Sequence, residues 1–184
     1  MNLDALRDQA TLTDGFVRLE QLDEPHLAEF WSETPDPEID RLTATRETFT
    51  EDQIRHWLRT RPGQPDRADW AIVRVSDSQV VGEVVLNDLS EENEKLGFRI
   101  ALSRAEFLGQ GYGTAATRLA VDYAFDMVGV HRLELNVYAF NPRAQRVYEK
   151  CGFRREGVLR DDLLWDGQRY DTIVMAIIAS DRAA

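Results

Sequence analysis

The residues in this chain best suited to chemistry begin at a glycine-rich turn, Leu108-Gly109-Gln110-Gly111-Tyr112-Gly113-Thr114. A run with helical period follows: Ala115, Leu119, Tyr123 and Met127 recur every four residues, with Ala116 and Ala120 beside them. A glycine turn that opens a helix presents unpaired backbone N–H groups and the positive end of the helix dipole, so it suits an anion, phosphate above all. Glycine also lets the backbone come close to such a ligand, because it carries no side chain. A P-loop needs Gly-Lys followed by Ser or Thr, and no such tripeptide occurs here. A dinucleotide-binding turn needs G-x-G-x-x-G, but the glycines fall at 109, 111 and 113, so the third comes one residue early. That turn also follows the first strand of a βαβ unit, whereas this one follows about a hundred residues of other structure.

The elements that must position this turn can be read on either side of it. Residues 1–10 read as a frayed amphipathic lead-in, Thr13-Asp14-Gly15 as a turn and Phe16-Val17-Arg18-Leu19 as a first strand. A helix is expected near Pro25, capped by Asp23 or Glu24, with Leu27, Phe30 and Trp31 on its buried face. Residues 33–48, with Pro35, Pro37 and many charges, read as a loop or broken helix. Thr50-Glu51-Asp52-Gln53 has the form of a capping box, opening a helix that carries Ile54, Trp57 and Leu58. Residues 61–67 form a surface linker. Strands are expected at 70–75, 80–86 and 96–102, with turns at 76–79 and 88–94. Downstream, residues 132–138 read as a strand, and Asn141 followed by Pro142 suits the start of a helix. Two further strands are expected, near 153–160 and 169–178. The stretch from Thr172 to Ile178 is nearly all apolar, as for a strand buried on both faces. These periodicities give a mixed sheet flanked by helices.

The 184 residues, 43% of them hydrophobic, suffice for one domain with a real core and are too few for two ordinary ones. No run approaches the ~20 apolar residues of a membrane span. The start, Met-Asn-Leu-Asp, lacks a basic stretch followed by an apolar core, so no signal peptide is read and a cytoplasmic protein is expected. The single cysteine, Cys151, cannot form an internal disulfide and reads as a small packed residue. A net charge of −11 argues against a nucleic-acid partner, which needs a basic face, and is compatible with a cationic substrate such as an amine. His26, His56 and His131 show no ligand spacing, so no metal site is expected.

The glycine turn, the helix, the strand and Asn141-x-x-Ala144-x-x-x-Tyr148-Glu149-Lys150-x-Gly152-Phe153 together resemble the GNAT superfamily of acyl-CoA-dependent N-acetyltransferases. The family's pyrophosphate loop reads Arg/Gln-x-x-Gly-x-Gly/Ala; Gly111 and Gly113 fill its glycine positions, and Leu108 stands where Arg or Gln is usual. The later stretches Glu156-Gly157-Val158-Leu159 and Asp166-Gly167-Gln168-Arg169-Tyr170-Asp171 resemble the RimJ/RimL-type branch, which acetylates protein N-termini and has close relatives that acetylate polyamines. The resemblance runs from about residue 12 to 178, within a single domain spanning 1–184. It implies an α/β (α+β) fold whose mixed, mostly antiparallel central sheet carries a V-shaped splay. It further implies acetyl-CoA as cosubstrate, an amine acceptor, and the homodimer common among members.

Residue by residue, the resemblance implies that backbone groups of 108–114 grip the pyrophosphate of acetyl-CoA. The pantetheine arm would lie between the strands ending at Leu102 and Tyr138, against the backbone of Ile100, Ala101 and Leu102. A backbone N–H of that strand would serve the developing oxyanion. Tyr148 matches the general acid that serves the leaving thiolate, a phenol near pKa 10 facing a thiol near 8.5. Asn141 matches an asparagine that bonds the pantetheine or caps the helix, and Ala144 stands where many members have Ser. Glu83 is the favoured general base, acting through water, with Asp162 next and Asp161 beside it; Glu134 reads as solvent-facing or salt-bridged. The acceptor is expected to be a primary amine, such as a protein N-terminus, and the resemblance implies that the 33–48 region and the helix after it form one wall of its site; a polyamine is the alternative, which the cluster Asp88, Glu91, Glu92 and Glu94 could attract. An acyl-CoA sensor without turnover is the alternative of a different class.

Overall fold

The computed structural model describes residues 1–31 and 36–182; the part of the 33–48 segment at 33–35 lies outside the described residues. The chain begins with a short helix α1 (Asp4–Arg7) and strands β1 (Leu12–Thr13) and β2 (Val17–Gln21). Helices α2 (Leu27–Phe30), α3 (Pro37–Thr43) and α4 (Glu51–Arg59) follow, then the meander β3 (Ala68–Arg74), β4 (Val80–Ser90) and β5 (Lys95–Leu102). Next come α5 (Tyr112–Asp122), β6 (Arg132–Tyr138), α6 (Pro142–Lys150), the hairpin β7 (Arg154–Trp165) and β8 (Gln168–Ile178), and α7 (Ala179–Arg182). The strands form one sheet in the order β1-β2-β3-β4-β5-β6-β8-β7. Every neighbouring pair is antiparallel except β5 and β6, which run parallel. This is the expected mixed, mostly antiparallel sheet flanked by helices.

Strand alternation explains both layers. Trp70 and Ile72 of β3, Val84 and Leu86 of β4, and Phe98 of β5 join Ala116, Ala120 and Val121 of α5 in the main core. Ala71 and Val73 turn to the other face and pack with Leu22 and Leu58 under α2 and α4. The lead-in is docked rather than frayed. Leu6 is 1% exposed, the Tyr123 hydroxyl donates to the Ala5 carbonyl at 2.6 Å, and Gln9 Nε2 donates to the Asp69 carbonyl at 2.5 Å.

Three local outcomes differ from the periodicity. The helix expected near Pro25 is a 3-10 turn (Glu24–His26) running into α2, whose Leu27 and Phe30 are only partly buried. Within 33–48, α3 forms because Asp36 Oδ1 accepts from the N–H groups of Glu38 and Ile39, at 3.0 and 3.4 Å, with Pro37 at the first helical position. After α5 the helix widens to a π turn over Tyr123–Val128, in which the Gly129 N–H reaches back to the Ala124 carbonyl. The extra residue rotates Met127 out of the expected apolar stripe, leaving it 53% exposed. The α4 capping box forms as expected, Gln53 N–H donating to Thr50 Oγ1 and Thr50 N–H to Gln53 Oε1. Among the described residues, no helix is long and apolar enough to cross a membrane.

Candidate active site

β5 and β6 pair at only three positions, Lys95 with Arg132, Leu96 with Leu133 and Gly97 with Glu134. Beyond them β5 stays with β4 as far as Leu102, and β6 stays with β8 as far as Tyr138. The two strands therefore part in the middle of the sheet, and a cavity of about 920 Å³ opens along the gap. The parting coincides with an irregularity in β4. The expected turn at 88–94 begins later, β4 continuing to Ser90 with its register broken after Asn87 and Asp88 at φ +51°. Such a bulge bends its strand, and this one lies opposite Gly97.

Peptide groups alternate along a strand, so half of those in β5 face the gap. Ser103 N–H donates to the Val81 carbonyl, and the Ala101 carbonyl lies where a Cβ on Gly82 of β4 would fall. Glu94 accepts from His131 and Arg132 on the other side. Counting in twos, Arg99, Ala101 and Ser103 direct their peptides to β4, while Phe98, Ile100 and Leu102 direct theirs into the gap. Of the three backbone contacts expected on this strand, Ile100 and Leu102 are open to a ligand. Ala101 also lines the cavity, but its peptide is turned to the β4 ladder.

The glycine turn closes one end of the gap. Gly111 caps α5 at φ +95°, a conformation that favours glycine, and the first N–H to return along the helix is Ala115 to the Gly111 carbonyl. The N–H groups of Tyr112, Gly113 and Thr114 thus precede the first helical bond, as an anion site requires. Leu108, Gly109, Gly111, Gly113 and Thr114 line the cavity. A Cβ on Gly113 would meet nothing within 4 Å, so the space above it is open to a ligand. Gln110 and Tyr112 turn their side chains elsewhere. Gln110 Nε2 donates to the Glu106 carbonyl, and the Tyr112 ring stacks on Phe16 at 5.1 Å while its hydroxyl meets Arg74 and Gln110. Arg146 and Lys150 of α6 add positive charge to the cavity wall, where Arg143 is paired with Glu38 at 3.2 Å.

Tyr148 projects from α6 into the gap, its ring edge-on to Phe98 at 6.0 Å. Burial pushes its phenol well above the ordinary value, so it stays protonated. Asn141 lines the cavity and also caps α6, Oδ1 accepting from Ala144 N–H at 3.1 Å. Glu83 of β4 lines the cavity too, and its buried Oε2 has no hydrogen-bond partner. Burial raises its carboxyl to about 7; Asp69 adds to that effect, and Arg99, Arg67 and Arg61 oppose it. Glu134 is salt-bridged to Lys95 and Arg132. Cys151 sits against the Thr114 carbonyl with its thiol raised by burial, a packed residue. Asp161 and Asp162 stand on the β7–β8 hairpin; the Asp161 N–H is held by Asp171, and neither lines the cavity.

Sequence reasoning placed the 33–48 region on the acceptor wall without its helix, and missed Asn87 there. α3 contributes Ile39, Leu42 and Thr43, and is held over the gap by Asp36 Oδ2, which accepts from Ala105 N–H at 2.8 Å. The Asp36-Pro37 pair was the available signal. Asn87 and Asp88 also line the cavity, although Asp88 reads as the start of a solvated turn and Asn87 falls between that turn and the expected strand.

Residues 16–154 match the family described as the Acetyltransferase (GNAT) domain. Over 109 residues the chain is 29% identical to the spermidine N(1)-acetyltransferase of Vibrio cholerae, covering 59% of this chain and 62% of that protein. It is 30% identical over 141 residues to the Bacillus subtilis protein named "Probable N-acetyltransferase YjcK", covering 77% and 71%. The Vibrio cholerae spermidine N-acetyltransferase solved with CoA and spermine superposes with a TM-score of 0.83 at 21% identity, over 93% of this chain and 100% of that one, a likeness of fold. The match to the Vibrio sequence spans less than two thirds of that protein's length. With a family match that runs from before β2 to the start of β7, and a parted sheet beside a glycine-opened helix, the chain belongs to the GNAT acetyltransferase family.

Proposed function

We propose that this protein transfers the acetyl group of acetyl-CoA to a primary amine by direct attack on the thioester. The observation that carries the reading is the gap between β5 and β6, with a helix N-terminus at one end and Tyr148 within it. The site fits acetyl-CoA: the open space over Gly113 admits a phosphate to the first N–H groups of α5, and Arg146 and Lys150 offset its charge. Ile100 and Leu102 present peptide groups to an extended arm, as a strand would to its neighbour.

The residues then divide the work. An N–H of β5 facing the gap stabilises charge developing on the thioester oxygen; such donors typically contribute about 3–4 kcal/mol. As the N–C bond forms and the C–S bond breaks, Glu83 takes the proton released by the amine, through water. A carboxyl titrating near 7 is matched to that role. Tyr148 donates a hydrogen bond from its hydroxyl to the departing sulfur. With the phenol raised by burial, the support is a hydrogen bond to the thiolate.

Two acceptor classes rest on different observations. A polyamine suits the net charge of −11 and the substrate named for the Vibrio relative. A protein α-amine suits the RimJ/RimL-like residues at 156–159 and 166–171. The test is thiol release from acetyl-CoA against spermidine, amino acids, aminoglycosides and short peptides with free N-termini. Release with one class identifies the acceptor. Silence across the panel, with acetyl-CoA still raising the melting temperature, would leave a narrow protein substrate or a non-catalytic acyl-CoA sensor.

A further inference from the structure

We propose that the side-chain oxygens of Asn87 and Asp88, gathered over Gly97 where β5 and β6 part, hold a charged nitrogen of the acceptor. This rests on the acetyl-transfer reading and adds where the amine docks. Asn87 is 8% exposed, lines the cavity, and has its Oδ1 buried without a hydrogen-bond partner. A buried acceptor without a donor is costly to a fold, so a donor brought by a ligand is the natural partner. Asp88 Oδ2 and Asn87 Oδ1 lie 3.0 and 3.1 Å from the point a Cβ at residue 97 would occupy. Glycine at 97 thus leaves empty the space on which both oxygens converge.

The chemistry of that space selects its occupant. Both converging atoms are acceptors, and one belongs to a carboxylate. The complement is a cation rich in N–H groups, which an ammonium supplies. The nearby cations Lys95 and Arg132 are engaged with Glu134. Gly97 pairs with Asn87 and Phe98 with Leu86, so the two oxygens lie at the point where the strands part but on the face of the sheet opposite the Phe98 ring and Tyr148. Glu83 instead pairs with Ala101, four residues further along β5, or about 13 Å at strand rise. That separation leaves Glu83 to serve the nitrogen that attacks and the Asn87–Asp88 pair to hold a second, charged nitrogen of the acceptor.

The test is titration calorimetry on the full chain loaded with CoA, which cannot turn over. The probes are spermidine and a short peptide amide with a free α-amine. At least one should bind the parent protein, and Asp88→Asn and Asn87→Leu should each weaken that binding about ten-fold or more while CoA affinity stays within about two-fold. Gly97→Ala keeps both oxygens but puts a methyl where they converge, and should cause the same loss. Failure of both probes to bind the parent, unchanged amine affinity in Asp88→Asn and Gly97→Ala, or an equal loss of CoA affinity would overturn the subsite. Steady-state rates separate the two readings. Amine binding without acetyl transfer would overturn the proposed function and leave the subsite; transfer with unchanged amine KM in Asp88→Asn would do the reverse.

Discussion

Gly97 and Glu134 are the last residues at which β5 and β6 pair, and the chemistry of the cavity is disposed about that point. Phe98 and Tyr148 adjoin it, the Asn87–Asp88 bulge lies across from it on β4, and the gap widens from there toward the glycine turn. Losing the β5–β6 ladder gives up interstrand hydrogen bonds, which leaves the gap-facing peptides of Ile100 and Leu102 to be satisfied by water or a ligand.

Gly113 and Gly111 should separate ligand approach from backbone strain. Gly113 has open space above it and an ordinary φ, so Gly113→Asp should leave the melting temperature of the ligand-free protein unchanged. Its carboxylate would face the pyrophosphate, and calorimetry should show acetyl-CoA binding weakened about hundred-fold, near 3 kcal/mol. Gly111→Ala forces an alanine to φ +95° and should cost about 1–2 kcal/mol of stability in the absence of ligand.

Tyr148→Phe keeps the ring against Phe98 and Phe153 and removes only the hydroxyl. Turnover should fall about hundred-fold, with KM for acetyl-CoA within about three-fold. Unchanged turnover would mean that water or another group serves the thiolate.

Glu83→Gln should alter both activity and stability with pH. Between the ordinary carboxylate value and about 7, the folded chain holds a proton that the unfolded chain has released. Stability therefore falls as pH rises through that window. The glutamine variant lacks this loss, so its stability relative to the parent should improve between pH 5 and pH 8, by on the order of 1–3 kcal/mol. The acid limb of kcat/KM near 7 should disappear with it. A parallel stability profile for both proteins would contradict the buried carboxyl.

Tyr112→Ala tests the brace beneath the glycine turn. It removes the ring stacked on Phe16 and the hydroxyl held by Arg74. Loss of a buried aromatic should cost about 3–5 kcal/mol, and acetyl-CoA affinity should fall with it as the start of α5 loosens. Thermal unfolding with and without acetyl-CoA measures both.

Much of this site was legible in the chain because its parts carry local signals. Gly111 and Gly113 mark a helix start, Asn141-Pro142 a cap, and the alternation of β3 to β5 a meander. What escaped depends on long-range geometry. Asp88 reads as the start of a solvated turn and Asn87 falls just before it, because two polar residues before an acidic run look alike whether they end a strand or bulge within it. The orphaned Oε2 of Glu83 has no trace in a pattern, since its surroundings come from distant segments. The division among Ile100, Ala101 and Leu102 depends on which of two neighbours each peptide faces, and that is set by pairing. α3 was obscured by the charges of 33–48, although Asp36-Pro37 announced it.

The most direct measurement is amide hydrogen exchange at Ile100, Ala101 and Leu102 with and without acetyl-CoA, resolved by NMR. Ile100 and Leu102 should gain protection on binding, while Ala101, already bonded to β4, should stay protected in both states. Unchanged exchange at Ile100 and Leu102 under saturating acetyl-CoA would contradict the placement of the cosubstrate in the gap, and with it the acetyl-transfer mechanism built around Tyr148 and Glu83.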